Sequence, residues 1–231
     1  MQDGLLVDYL NRHEHLAPFR ALPARELSVL RLGRLCGFDE AHARTVARLA
    51  FGLFDSARLA GLHRLGDDDR ELLGYAALLH DCGMFLSHTN HQAHSYYFIH
   101  NADLLGFDQD ELDVIATTAL YHRKPAPRPS HPEFAALTKG QQARVRVLAA
   151  LLRLAESLDR SHAGLVERVA LRPAERKTVV LEIDGGLDCT LEVWGVQSQD
   201  KAFRKVFGRD LIVERVSERK APIQAPERLL G

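Results

Sequence analysis

Cysteine is scarce in this chain. Its 231 residues hold three, Cys36, Cys82 and Cys189, far apart and without a CxxC pair. Neither a disulfide framework nor a zinc–thiolate site is expected, and the usage suits a reducing, cytoplasmic location. Long apolar runs are missing as well. The opening stretch MQDGLLVDYLNRHEH is broken by Asp3, Asp8 and Glu14, and no run elsewhere approaches the ~20 residues that a membrane-spanning helix needs. A third absence is an excess of charge of either sign: 30 Lys and Arg stand against 31 Asp and Glu. That removes any global electrostatic reason to expect nucleic acid or an anionic membrane as partner, and any anion must be bound locally.

What is abundant is histidine. There are 12, and His80, His88, His91, His94 and His100 fall in one short stretch. The chain is long enough to bury a true core without crosslinks. From Pro23 to about residue 165 it reads as helix after helix. Asp39 can cap a helix with the apolar stripe Val46, Leu49, Leu53, Phe54 and Ala57. Asp67 to Asp69 can open another carrying Leu72, Leu73, Ala76 and Leu79. Gly61 and Gly83 are expected to end these two. Asp108 can cap a third through Leu112, Ile115 and Ala119, stopped by KPAPRPSHP, and a fourth runs from about Gln141 through Leu148, Leu152 and Ala155. After about residue 166 the texture changes to VALRP, TVVLEID and CTLEVWGV, which read as strands, with Asp184, Gly185 and Gly186 as the turn between the last two. A short helix around Asp200 to Phe207 and a strand LIVERV follow. The expected fold is mainly α: a helical bundle over residues 23–166 and a small α+β domain over 167–222, with a loose tail at 223–231.

The chemistry follows from which helix face carries the histidines and aspartates. His42 precedes Val46 by four and Leu49 by seven. His80 follows Ala76 by four and Leu73 by seven, and His122 follows Ala119 by three and Ile115 by seven. All three point inward. Asp159 follows Ala155 by four and Leu152 by seven, which places a carboxylate on the buried side of the fourth helix. A buried carboxylate is costly unless it is paired, protonated or bound to a metal, and three inward imidazoles favour the metal. Singly, each has a structural alternative: His42 bonded to a backbone carbonyl, or Asp159 paired with Arg153 or Arg160. Together those alternatives are much weaker. His88, His91 and His100 read as solvated or supporting imidazoles. Phosphate oxygens would need cations, and Arg123, Lys124 and Arg160 adjoin the site residues.

The order His42, adjacent His80-Asp81, then Asp159 resembles the HD superfamily of metal-dependent phosphohydrolases. The resemblance implies that His42, His80, Asp81 and Asp159 ligate a divalent ion and that His94 and His122 complete a second metal site. It also implies that Asp81 bridges or anchors ions that acidify water for in-line attack on phosphorus. Nitrogen and oxygen ligation suits manganese, iron, cobalt, nickel or zinc, one or two ions in number.

Longer stretches sharpen the likeness. LLHDCGMFLSHTNHQAHSYYFIHNADLLGF, ALYHRKPAPRPSHPEFAAL, RLAESLDRSHAGLVERV and DKAFRKVFGRDLIVERV resemble the C-terminal half of the exopolyphosphatase and guanosine pentaphosphate phosphohydrolase family, and DGLLVDYL, within residues 1–22, resembles its linker segment. In that family the phosphatase site lies in an N-terminal, actin-like pair of domains. No glycine-rich phosphate loop opens this sequence, so the family's usual route is not expected here. Cys82 also stands where an apolar aliphatic residue is more usual. The resemblance implies one of two functions. One is an autonomous HD phosphohydrolase acting on a nucleotide, a guanosine polyphosphate or polyphosphate. The other is a non-catalytic module that binds such a phosphorylated ligand or works with a separate actin-like phosphatase partner. A weaker third reading has Trp194 and Phe203, near the surface of the small domain, forming a homodimer interface.

Overall fold

A computed structural model describes residues 22–186 and 188–216, and the expected linker segment (but for Leu22) and loose tail lie outside them. The fold is mainly helical with a small three-stranded sheet at the C-terminal end. The helices are α1 (Ala24–Leu35), α2 (Glu40–Leu59), α3 (Asp67–Leu79), α4 (His91–His100), α5 (Gln109–Leu120), the single turn α6 (Pro132–Ala135) and α7 (Lys139–Ser157). A 3-10 turn, Cys82–Phe85, lies between α3 and α4. The strands are β1 (Val166–Pro173), β2 (Thr178–Gly185) and β3 (Asp210–Arg215), with α8 (Thr190–Gln197) and α9 (Asp200–Phe207) between the last two.

The helices begin where their sequences supply caps. The Asp39 carboxylate accepts from the His42 backbone N–H at 3.1 Å, so the cap that starts α2 also fixes the first turn that carries His42. Asp108 and Glu111 form a reciprocal capping box at the head of α5. Thr138 and Gln141 form another on α7, which therefore starts at Lys139, two residues before the expected Gln141. Behind the caps, Val46, Leu49, Leu53 and Phe54 of α2 are buried with Leu72, Leu73 and Leu79 of α3, Ile115 of α5, and Leu148, Leu151 and Leu152 of α7. The same buried cluster continues into the sheet through Leu171, Val179, Leu181 and Ile183.

Three expectations need correction. Gly83 does not end α3, which already stops at Leu79. It sits inside the 3-10 turn, where an added Cβ would lie 2.1 Å from the His91 carbonyl oxygen and 2.4 Å from the Ser95 nitrogen. It is glycine because α4 packs directly on its backbone. CTLEVWGV is not a strand: from Thr190 it forms α8, with Cys189, Glu192, Gly195 and Val196 buried at helical spacing. Gly195 lets this helix approach the end of α7, where a Cβ would stand 3.1 Å from the Ser157 carbonyl oxygen. The sheet is therefore not a meander: β2 pairs antiparallel with β1 and parallel with β3, and the connection to β3 passes through α8 and α9. Finally, Phe203 is buried against the core rather than near the surface, whereas Trp194 is exposed.

Candidate metal centre

Five side chains converge where the C-terminus of α3, the 3-10 turn and the flanking helices meet. His80 caps the end of α3, and Asp81 follows it at the head of the 3-10 turn. His42 comes from the first turn of α2, His122 from just past the end of α5, and His91 is the first residue of α4. All four imidazoles are buried. Asp81 lies at their centre. Its Oδ2 is 3.5 Å from His80 Nε2 and 4.0 Å from His42 Nε2, and its Oδ1 is 3.1 Å from His91 Nε2 and 3.4 Å from His122 Nε2. Two candidate ligand groups result, His42–His80–Asp81 and Asp81–His91–His122, sharing one carboxylate.

The backbone fixes the hydrogen on each ring. His80 Nδ1 is 2.7 Å from the Ala77 carbonyl, His122 Nδ1 is 2.6 Å from that of Ala119, and His91 Nδ1 is 3.0 Å from that of His88. A carbonyl oxygen only accepts, so each Nδ1 donates its N–H three residues back and each Nε2 is left with its lone pair facing Asp81. His42 reaches the same state differently: its Nδ1–H donates to Asp159 Oδ2 at 2.8 Å. Asp159 Oδ1 accepts from the Gly164 backbone N–H at 2.8 Å, in a turn where Gly164 takes a positive φ of 63°. Asp159 thus stands beside His42, each oxygen accepting one hydrogen bond, and lies outside the two clusters of ligand atoms.

These lone pairs could be answered by a cation. Among the described residues, His42 Nε2, His80 Nε2 and Asp81 Oδ1 are buried without a hydrogen-bond partner, and His91 Nε2 lies 3.1 Å from His122 Nε2. Two imidazole lone pairs at that distance repel unless a proton or a metal ion lies between them. Ligand atoms on one transition-metal ion, each about 2.0–2.2 Å from it, stand about 3–3.5 Å apart. Most of the measured separations fall there, so the residues fit a divalent ion of that kind. Protonation preferences agree. Burial pushes the His80 imidazole down to about 4, which keeps it neutral. Burial would raise the Asp81 carboxyl, but His80, His122 and His91 more than offset this and hold it well below the usual carboxylate range. His91 is the exception: Asp81, whose Oδ1 is 3.1 Å from its Nε2, raises its affinity for a proton, the place a bound cation would take.

The structure brings His91, not the expected His94, to Asp81. His91, Ser95 and Ile99 form the buried stripe of α4 at a spacing of four, and His94 lies off it. Ser95 joins this stripe to the centre, its Oγ donating to the His80 carbonyl at 2.6 Å and accepting from the Gly83 N–H at 2.9 Å. That stripe and the glycine beneath it were readable signals for His91. His162 was not anticipated either. It stacks on His42 with ring centroids 3.7 Å apart and takes a positive φ of 56°.

The expected phosphate contacts are spoken for. Arg123 donates to the buried Glu156 carboxylate at 2.6 Å, Lys124 Nζ lies 3.7 Å from Glu133, and the Arg160 guanidinium lies over the Trp194 ring at 5.3 Å. Of the three, Arg123 is close enough to the centre to act electrostatically on Asp81 and His91.

A helical protein with a shared aspartate between two histidine groups is of the kind that can hold one or two metal ions at the end of a bundle. Its family is given by the sequence as a whole: the family model for Ppx/GppA phosphatase, domain III, matches residues 24–191, and the chain belongs to that family. Among the described residues no helix is long and apolar enough to cross a membrane.

Proposed function

We propose that the chain is a metal-dependent phosphohydrolase of the HD type, acting on a nucleotide, a guanosine polyphosphate or polyphosphate. The observation that carries this reading is the set of four Nε2 lone pairs aimed at the one carboxylate of Asp81. His42, His80 and Asp81 would hold one ion, and Asp81, His91 and His122 a second. Divalent ions bound there supply Lewis-acid chemistry, acidifying water and neutralising phosphate charge. The chain's own residues do the rest. Asp81 offers one oxygen to each group. The carbonyls of Ala77, His88 and Ala119 and the carboxylate of Asp159 keep the four rings in the tautomer that can ligate. A phosphoryl oxygen arriving beside His122 competes with Glu156 for Arg123 and gains a charge-assisted hydrogen bond.

The metal content of the untagged protein tests this reading, with the parent chain measured beside Asp81→Ala. Stoichiometric manganese, iron, cobalt, nickel or zinc that is lost in the variant, with turnover of phosphate esters, supports it. A parent chain that holds none and cannot be loaded sinks it. One observation favours a second reading: the matched model is that of a third domain. In that reading the chain is a binding or regulatory module for a separate actin-like phosphatase partner, and metal is retained without turnover.

A further inference from the structure

Beside the His42 group a cavity of about 300 Å³ opens between the start of α2 and the 3-10 turn. That volume is at the small end of pockets that hold small molecules, about 300–1,000 Å³. Its inner end is formed by His42, His80 and Asp81, and its walls include Phe38, Met84 and Phe85. Among the described residues no lysine or arginine lines it; its wall carries the carboxylates Asp39 and Asp81 and, besides His42 and His80, the imidazoles His88 and His162. A polyphosphate chain carries about one negative charge per phosphate and is held by runs of lysine and arginine. Here it would meet two carboxylates, phenyl rings and imidazoles in place of such a run. Phe85, on that wall, is a 63% exposed apolar ring, and the Phe98 ring lies 6.3 Å from it. Such a wall gains most from a flat, uncharged group that covers it.

We propose that this cavity takes the aromatic, uncharged half of a phosphomonoester, a nucleoside, with the phosphoryl group at Asp81, and that polyphosphate is excluded from it. The phosphoryl half rests on the hydrolase reading; the nucleoside half rests on the cavity alone. In the reaction the water oxygen forms the new bond to phosphorus, the ester P–O bond breaks, and the nucleoside leaves with a proton from that water.

The test is calorimetric titration of the whole chain with adenosine, alone and after saturation with short-chain polyphosphate, with metal content measured on the same samples. Adenosine is expected to bind, polyphosphate not to displace it, and Phe85→Ala to weaken it about tenfold, the effect of uncovering one aromatic face. Phe85→Tyr is expected to restore binding. Phe85 is exposed, so these variants should fold, and circular dichroism checks that they do. Displacement of adenosine by polyphosphate, undiminished binding by Phe85→Ala, or no binding by the parent chain overturns the proposal. Adenosine bound by a chain that holds no metal and cannot be loaded with it supports the cavity and sinks the hydrolase reading; metal held without adenosine does the reverse.

Discussion

Two buried histidines, His63 and His80, teach opposite lessons. Both lie in the helical core. His63 spends both ring nitrogens on the backbone: its Nε2–H donates to the Phe54 carbonyl at 3.0 Å, and its Nδ1 accepts from the Leu65 N–H at 3.2 Å. It ties the turn after α2 to the helix itself, and nothing is left over. His80 spends only Nδ1, and its Nε2 is buried beside Asp81 without a hydrogen-bond partner among the described residues. Burial alone does not separate a structural histidine from a ligand. The count of unanswered lone pairs does, because an orphaned polar group in a core is costly unless something binds it.

The comparison is sharpest at Asp81, the carboxylate common to both groups. Asp81→Ala is expected to abolish retained metal at both, as read by elemental analysis, whereas His63→Ala is expected to leave metal content unchanged. Next in size, His91→Ala is expected to remove the metal held by the second group and His94→Ala to remove none; the reverse result would put the second group on His94 and break the account of α4. Asp159→Asn, which weakens the acceptor behind His42, is expected to lower metal affinity by about 10–100-fold without abolishing it, measured by competition with a chelating dye. His63→Ala is expected to cost about 2–3 kcal/mol in denaturant unfolding, through the two lost backbone bonds and the emptied space.

The smallest effect is on pH. Burial lowers the His63 imidazole below its ordinary 6.5 and lowers His80 further, to about 4. Well above pH 6.5 neither residue carries a proton in the folded or unfolded chain, and what the two contribute to stability is full. Below that, the unfolded chain takes up protons that the folded chain resists, so the metal-free protein is expected to lose stability steadily down to about pH 4. Thermal melts across that range check the slope, and His63→Gln is expected to flatten its upper part.

Much of the bundle was legible because caps and periodicity are local. Asp39, Asp108 and the stripe from Val46 to Ala57 act within a few residues of themselves, and the structure keeps them. The inward faces of His42, His80 and His122 follow from the same periodicity. Less could be read where a local pattern was ambiguous. CTLEVWGV alternates like a strand, but Glu192, whose Oε1 accepts from the Ser161 N–H at 3.1 Å, and Gly195 against Ser157 reward a helix packed on the end of α7. The choice of His91 over His94 turned on Gly83, whose missing side chain lets α4 lie on the 3-10 turn.

The sequence by itself thus determined the helical class, the family and the presence of a buried histidine–aspartate set, because each is written in composition, caps, spacing or shared motifs. Tertiary structure decided which histidines face one another, that the Asp159 carboxylate accepts from His42, and that Arg123 is paired with Glu156. Those outcomes depend on contacts between segments distant in sequence, whose geometry is set only when the helices pack.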